Sequence, residues 1–276
     1  MINGFTDYEE LTRTRRLIMR SYKLPGNRLR LLHPNENRGA VTIDEERDYH
    51  FRYVLEDNFG NRRTYQFIVK GKRQDIPEYK PEANEMLYWN RTNVIQKPGM
   101  ELVVPRYYVY EDVPLRTDMR GDSSHIAFDY ILDAGRTPIH SYCDLSIGLR
   151  HMPVADTTKY YIVQKAGKWR SSMGGKYANG WIKTRVRSLG TFSVDVDTIA
   201  PQITPIGQGG WRTSRNIRFR IKDMESGIGS YKVYIDGKFV LFGLKKGILV
   251  IQDPEKVKKG VSHKLEVTVT DQCGNM

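Results

Sequence analysis

A five-residue turn, Asp-x-x-Gly-Asn, occurs twice in the chain, each time at the end of an alternating run. In the first copy Tyr49, Phe51, Tyr53 and Leu55 alternate with His50, Arg52, Val54 and Glu56 before Asp57-Asn-Phe-Gly-Asn61. In the second, Leu265, Val267 and Val269 alternate with Lys264, Glu266 and Thr268 before Asp271-Gln-Cys-Gly-Asn275. A period of two places the apolar side chains on one face of a strand. Gly and Asn tolerate positive φ, and an Asp carboxylate accepts from amides within the turn. The repeat predicts two β-hairpins belonging to modules of one kind. The first turn runs into a closing strand, Arg62 to Val69, whereas the second is followed by Met276 alone. The last module is therefore expected to lack its final strand, and the chain to be a fragment.

The rest of the chain divides around these two hairpins. Asp7 to Arg16 reads as a short helix, acids first and bases last in agreement with the macrodipole. Leu17 to Tyr22 reads as a strand and Leu24-Pro-Gly-Asn27 as a turn. Too few strands remain there for a whole sandwich, so residues 1–72 are expected to form a partial Ig-like module. A polar stretch with two prolines marks a linker over 73–84. A middle β-sandwich is expected over 85–196, with strands at Glu101 to Val104, Tyr107 to Tyr110, Ile126 to Ile131, Tyr160 to Gln164 and Lys183 to Val186. The last Ig-like module spans 197–276; in it Ile217, Phe219 and Ile221 alternate with Arg218, Arg220 and Lys222. The predicted fold class is all-β: two to three Ig-like β-sandwich modules in tandem, the terminal ones incomplete.

Composition supports strands and restricts function. Seventeen tyrosines, with abundant Val and Ile, favour pleated, half-buried surfaces. In 276 residues no apolar run approaches the roughly 20 needed for a membrane-spanning helix. Two widely separated cysteines, Cys143 and Cys273, define neither a disulfide framework nor a cysteine-rich zinc site. The formal net charge of +12 implies attraction to polyanions without choosing among them.

Candidate sites are few. No phosphate-binding glycine loop and no nucleophile elbow occurs. His125 and Asp129 have the spacing of one half of a zinc site, but no two of the six histidines are separated by a single residue, so no second half exists. The basic run containing Arg13, Arg15, Arg16 and Arg20 is a candidate polyanion-binding surface, against the plainer reading of a solvated face. No stacking aromatic is evident beside it, so nucleic acid is not expected. Trp169, Tyr177 and Trp181 flank the Ser171 to Gly175 loop and are candidates for stacking on sugar faces, against ordinary packing. Each Asp-x-x-Gly-Asn turn offers one carboxylate, poor coordination for calcium, so turn chemistry accounts for it.

Taken in order, Arg15-Arg-Leu-Ile-Met-Arg20 with Leu24-Pro-Gly-Asn27, Asp57-x-x-Gly-Asn61, Gly174-Gly-Lys-Tyr-Ala-Asn-Gly180 and Asp197-Thr-Ile-Ala-Pro-Gln-Ile203 resemble the C-terminal region of bacterial lysostaphin/LytM-type zinc metallopeptidases. Ser226-Gly-Ile228, Ile235-Asp-Gly-Lys238 and Val269 to Asn275 resemble a bacterial Ig-like domain. The family's catalytic motifs, His-x-x-x-Asp and His-x-His, are not matched. The resemblance implies a non-catalytic accessory or spacer region of a cell-envelope peptidoglycan metalloendopeptidase, periplasmic or surface-exposed. It further implies zinc only in a peptidase domain upstream in cis, with peptidoglycan or another anionic wall polymer as partner. The alternative is an adhesin-like surface module that binds a glycan or a protein.

Overall fold

The computed structural model describes residues 6, 8–78 and 82–276, and the chain forms two compact units, 1–82 and 83–276. Of the sequence expectations, the start of the helix at Asp7 and the linker segment 79–81 lie outside the described residues.

In the first unit, α1 (Tyr8–Thr14) precedes a two-stranded antiparallel sheet of β1 (Asp48–Glu56) and β2 (Arg62–Lys70). Phe51 stacks on Phe67 with ring centroids 5.1 Å apart, and Tyr53 on Phe67 at 5.9 Å, so the apolar face foreseen from the alternation exists. It is only partly covered: Tyr49 is buried, whereas Leu55 and Tyr65 are more than half exposed. The strand expected at Leu17 to Tyr22 does not form. Met19 makes a single bridge with Thr6, and without a neighbouring strand the segment has no ladder to join.

The second unit contains two sandwiches. The first consists of β3 (Glu85–Leu87), β4 (Asn93–Lys97), β5 (Met100–Val104), β6 (Val113–Arg120), β7 (Asp129–Asp133), β8 (Cys143–Gly148), β9 (Tyr160–Ala166), β10 (Trp169–Ser172), β11 (Lys176–Ala178), β12 (Trp181–Val186) and β13 (Gly190–Val196). A six-stranded sheet, β10-β9-β13-β7-β6-β3, and a five-stranded sheet, β11-β12-β8-β5-β4, share one core. Leu115, Tyr130, Ile162 and Phe192 from one sheet and Leu102, Leu145, Ile147 and Ile182 from the other are almost fully buried. Truncating a side chain such as Leu145 to Ala removes roughly 2–5 kcal/mol of stability by leaving a cavity.

Two expected strands of this sandwich are corrected. Tyr107 to Tyr110 is a turn: Tyr107 has φ +69°, and the Tyr108 amide donates to the Pro105 carbonyl at 3.1 Å. Alternating aromatics imitate strand periodicity there, but the left-handed residue reverses the chain. Ile126 to Ile131 is extended and paired only from Asp129, where β7 begins.

The second sandwich comprises β14 (Gln202–Pro205), α2 (Trp211–Ser214), β15 (Arg218–Lys222), β16 (Ile228–Ile235), β17 (Lys238–Phe239), β18 (Phe242–Lys245), β19 (Ile248–Ile251) and β20 (Leu265–Asp271). Sheets β14-β15-β19-β18 and β17-β16-β20 enclose Phe219, Ile221, Leu249 and Ile251 on one side and Val233, Ile235 and Val269 on the other. The alternation read at Ile217, Phe219 and Ile221 is realised, all three being buried. All strand pairings in the five sheets are antiparallel, and the fold is all-β. No described helix is long and apolar enough to cross a membrane.

Candidate functional site at the junction of the two sandwiches

The second Asp-x-x-Gly-Asn turn closes on itself before it touches anything else. Asp271 Oδ1 accepts from the amides of Cys273 and Asn275 at 2.8 Å each, and Oδ2 from Asn275 Nδ2 at 2.7 Å. The Asp271 amide donates to the Asn275 carbonyl at 3.1 Å, and Gly274 takes φ +81°. A rigid turn of this kind fixes where its second and fourth followers point.

Those followers reach the first sandwich. Cys273 packs against Tyr161 and Val163 of β9, forming a small buried cluster apart from both cores. Lys159 Nζ donates to the Cys273 carbonyl at 3.0 Å, while the Cys273 thiol contacts the Lys159 carbonyl at 3.5 Å. Asn275 Nδ2 donates to the Asp197 carbonyl at 3.0 Å.

Asp197 itself, directly after β13, is fully buried. Its amide donates to the Lys159 carbonyl, and its carboxylate accepts from the amides of Ile199 and Ser226 at 3.0 Å each. One residue is thus bonded to β9's lead-in, to the start of the second sandwich and to the β15–β16 loop. Buried acceptors left without donors would cost about 1–3 kcal/mol each, and here the backbone supplies the donors.

Burial sets the acid–base character of the junction. It pushes the Cys273 thiol up to about 11, and the Cys143 thiol in the first core to about 12, so both are held protonated near neutrality. The Tyr161 hydroxyl is raised chiefly by burial and then by Asp195, Glu225 and Asp197. Glu225 is raised by burial first and by Asp197 and its acidic neighbours second.

The fold also gathers Asp197, Asp223 and Asp271, whose carboxylate oxygens lie within 4.8 Å of one another. Three hard oxygen donors are of the type that Ca²⁺ accepts. Sequence reading of one turn at a time reaches a single carboxylate; the other two arrive from the end of β13 and from the loop after β15. All three already accept amides, Asp223 Oδ2 from Glu225 at 3.0 Å and from Gly227 at 2.6 Å.

The residues singled out from the sequence lie elsewhere. Arg13 is exposed on the last turn of α1 and pairs with Glu10; Arg15 and Arg16 are exposed just beyond it. Arg20 is half-buried and donates to the Tyr22 hydroxyl at 3.0 Å. Trp169 is 81% exposed on β10 in the six-stranded sheet, whereas Tyr177 and Trp181 sit on β11 and β12 in the other sheet, with Trp181 packed over Gly148. No ring contact among the described residues joins Trp169 to the other two. His125 Nδ1 is bonded to Asp122 at 2.9 Å, while Asp129 pairs with Lys165 at 2.5 Å. Both cysteines are free and buried.

The model of one family, the Zu5-like domain, matches residues 84–197, which coincide with the first sandwich and end at Asp197. No curated protein and no solved structure matches the chain.

Proposed function

We propose that the chain is a non-catalytic spacer region of a bacterial cell-envelope protein, and that the parent is a peptidoglycan metalloendopeptidase whose zinc-binding peptidase domain lies upstream in cis. The observation that carries the spacer reading is the junction. Two sandwiches that share a buried aspartate, a lysine-to-carbonyl bond and a small apolar cluster hold a fixed relation, which a spacer needs and freely jointed modules lack. The parent's identity rests on the sequence resemblance alone.

Two experiments test the two halves. Incubation with purified peptidoglycan in the presence of zinc is expected to release no soluble fragments, and release would overturn the non-catalytic reading. The gene upstream of Met1 is expected to encode His-x-x-x-Asp and His-x-His on one domain. Further sandwich repeats in that place would favour a surface module that binds a glycan or a protein partner.

A further inference from the structure

The sheet β14-β15-β19-β18 of the second sandwich contains no acidic residue. Each of the other sheets does: Asp48 and Glu56 lie in β1, Asp118 in β6, Asp144 in β8 and Glu266 in β20. No Asp or Glu occurs from Thr198 to Lys222 or from Gly237 to Gln252. The two acids that flank these stretches nearest the strands are engaged. Asp223 Oδ2 accepts the amides of Glu225 and Gly227, and Asp253 pairs with Lys256 at 2.5 Å.

Phe219, Ile221, Leu249 and Ile251 face the core, so the residues that alternate with them form the outer face of this sheet. The register sets Gln202 beside Lys222 and places Thr204, Arg220, Ile248 and Lys245 in one row across the four strands. Arg218, Val250 and Gly243 form the next row. The Ile221 amide donates to the Gly247 carbonyl at 2.9 Å, which brings the turn carrying Lys246 alongside the Lys222 end of β15. Arg220, Lys222, Lys245 and Lys246 are exposed and Arg218 is half-buried; among the described residues none of the five pairs with a carboxylate. A merely solvated strand face in the same molecule mixes its signs. Arg116 pairs with Asp133 across β6 and β7 at 3.4 Å, and Arg185 lies opposite Asp144 across β12 and β8.

We propose that this face binds a linear phosphodiester polymer whose phosphates are joined by short carbon linkers, of the poly(glycerol phosphate) kind. Alternate residues of a strand lie roughly 6.8 Å apart, so Arg218, Arg220 and Lys222 set three cations in line, with Lys245 a fourth to one side. Guanidinium forks and lysine point charges are both phosphate ligands. Ile248 and Val250, half-exposed beside the basic row, give the linkers carbon to pack on, which a chain of bare phosphates does not use. None of the outer-face residues is aromatic, so neither a sugar face nor a base finds a ring to stack on. A nucleic-acid duplex is read by elements that enter its grooves, and a flat strand surface supplies none. The site depends on neither the junction nor an upstream domain, and so stands apart from the spacer reading.

The test is calorimetric titration of the full chain with synthetic poly(glycerol phosphate) at low and at moderate salt. Binding is expected, weakening as salt rises because counterions are released. An Arg220→Gln/Lys222→Gln/Lys245→Gln variant is expected to lose affinity tenfold or more. A charge-preserving Arg220→Lys/Lys222→Arg/Lys245→Arg variant is expected to stay within a few-fold of the parent. Lys176→Gln/Lys183→Gln/Arg185→Gln removes the same charge from the five-stranded sheet and is expected to bind as the parent does. No binding, or a loss in either of these last two variants equal to that in the first, would overturn the proposal. So would equal binding of oligogalacturonate, which would show a response to charge density alone. Tighter binding of inorganic polyphosphate, or of a single- or double-stranded oligonucleotide, abolished by the first variant, would put that polymer in place of the one proposed.

Discussion

The Asp57–Asn61 and Asp271–Asn275 turns make the same hydrogen bonds in opposite surroundings. Asp57 Oδ1 accepts from Phe59 and Asn61 at 2.9 Å and Oδ2 from Asn61 Nδ2 at 2.8 Å, bond for bond the pattern at Asp271. Gly60 and Gly274 take φ +83° and +81°. Yet Phe59 is 92% exposed, while Cys273, at the equivalent position, is 3% exposed against Tyr161 and Val163. The five-residue code is sufficient for the turn's shape. What the turn contributes to the fold is decided by what its middle residue meets, which the motif does not specify.

The largest expected difference between the two copies comes from deleting the aspartate. Asp271→Ala strips acceptors from three buried or half-buried donors and is expected to cost residues 83–276 roughly 3 kcal/mol. Asp57→Ala is expected to leave the thermal midpoint of that unit unchanged and only to speed amide exchange at Phe59 and Asn61. Differential scanning calorimetry with hydrogen exchange separates the two, and equal losses from both variants would break the comparison. Next in size is Lys159→Met, which keeps the stem but removes the bond to the Cys273 carbonyl. A loss of about 1 kcal/mol is expected, read as a lower urea midpoint for residues 83–276.

Acid and base act with opposite sign at two exposed contacts. The Asp57 carboxyl is held below its ordinary value, first by the Asn61 side chain and then by the Asn61 and Phe59 amides. Its stabilisation is therefore present above the unfolded value of 3.8 and is lost as pH falls through the folded one. His263 is raised, first by Asp236 and then by the Lys258 carbonyl. Nδ1 lies 2.7 Å from Asp236 Oδ2 and Nε2 2.8 Å from Lys258 O; both partners only accept, so both nitrogens donate when the ring is protonated. This contribution is complete below the unfolded value of 6.5 and is lost as pH rises through the folded one. Exchange at residues 258–264 is expected to quicken above that point while the Asp57 turn does not change. The smallest contrast is Gly60→Ala against Gly274→Ala. A Cβ meets nothing within 4 Å at either site, so each should cost about 1 kcal/mol from positive φ alone, with no difference between them.

How far the sequence carries can be traced residue by residue. Ile217, Phe219 and Ile221 were readable because alternation with charge identifies a strand with one wet face. Both Asp turns were readable because their bonds are local. Tyr107 was misread because aromatic alternation carries no information about φ, and Leu17 to Tyr22 because a strand requires a partner that composition cannot supply. The junction was not legible at all. Asp197, Asp223 and Asp271 meet only after three loops converge, and Lys159 reaches Cys273 across most of the unit.

Asp197 also determines where this polypeptide can be divided. The Zu5-like match ends on it, yet its carboxylate accepts amides that lie downstream and its own amide bonds upstream. A recombination event that separates the sandwiches after Asp197 leaves the downstream part without the acceptor for Ser226 and Asn275. One that breaks before it leaves Lys159 Nζ without the Cys273 carbonyl and the Lys159 carbonyl without the Cys273 thiol. The residue is shared property of both modules, so the two are expected to be inherited as a pair more readily than either is exchanged by itself.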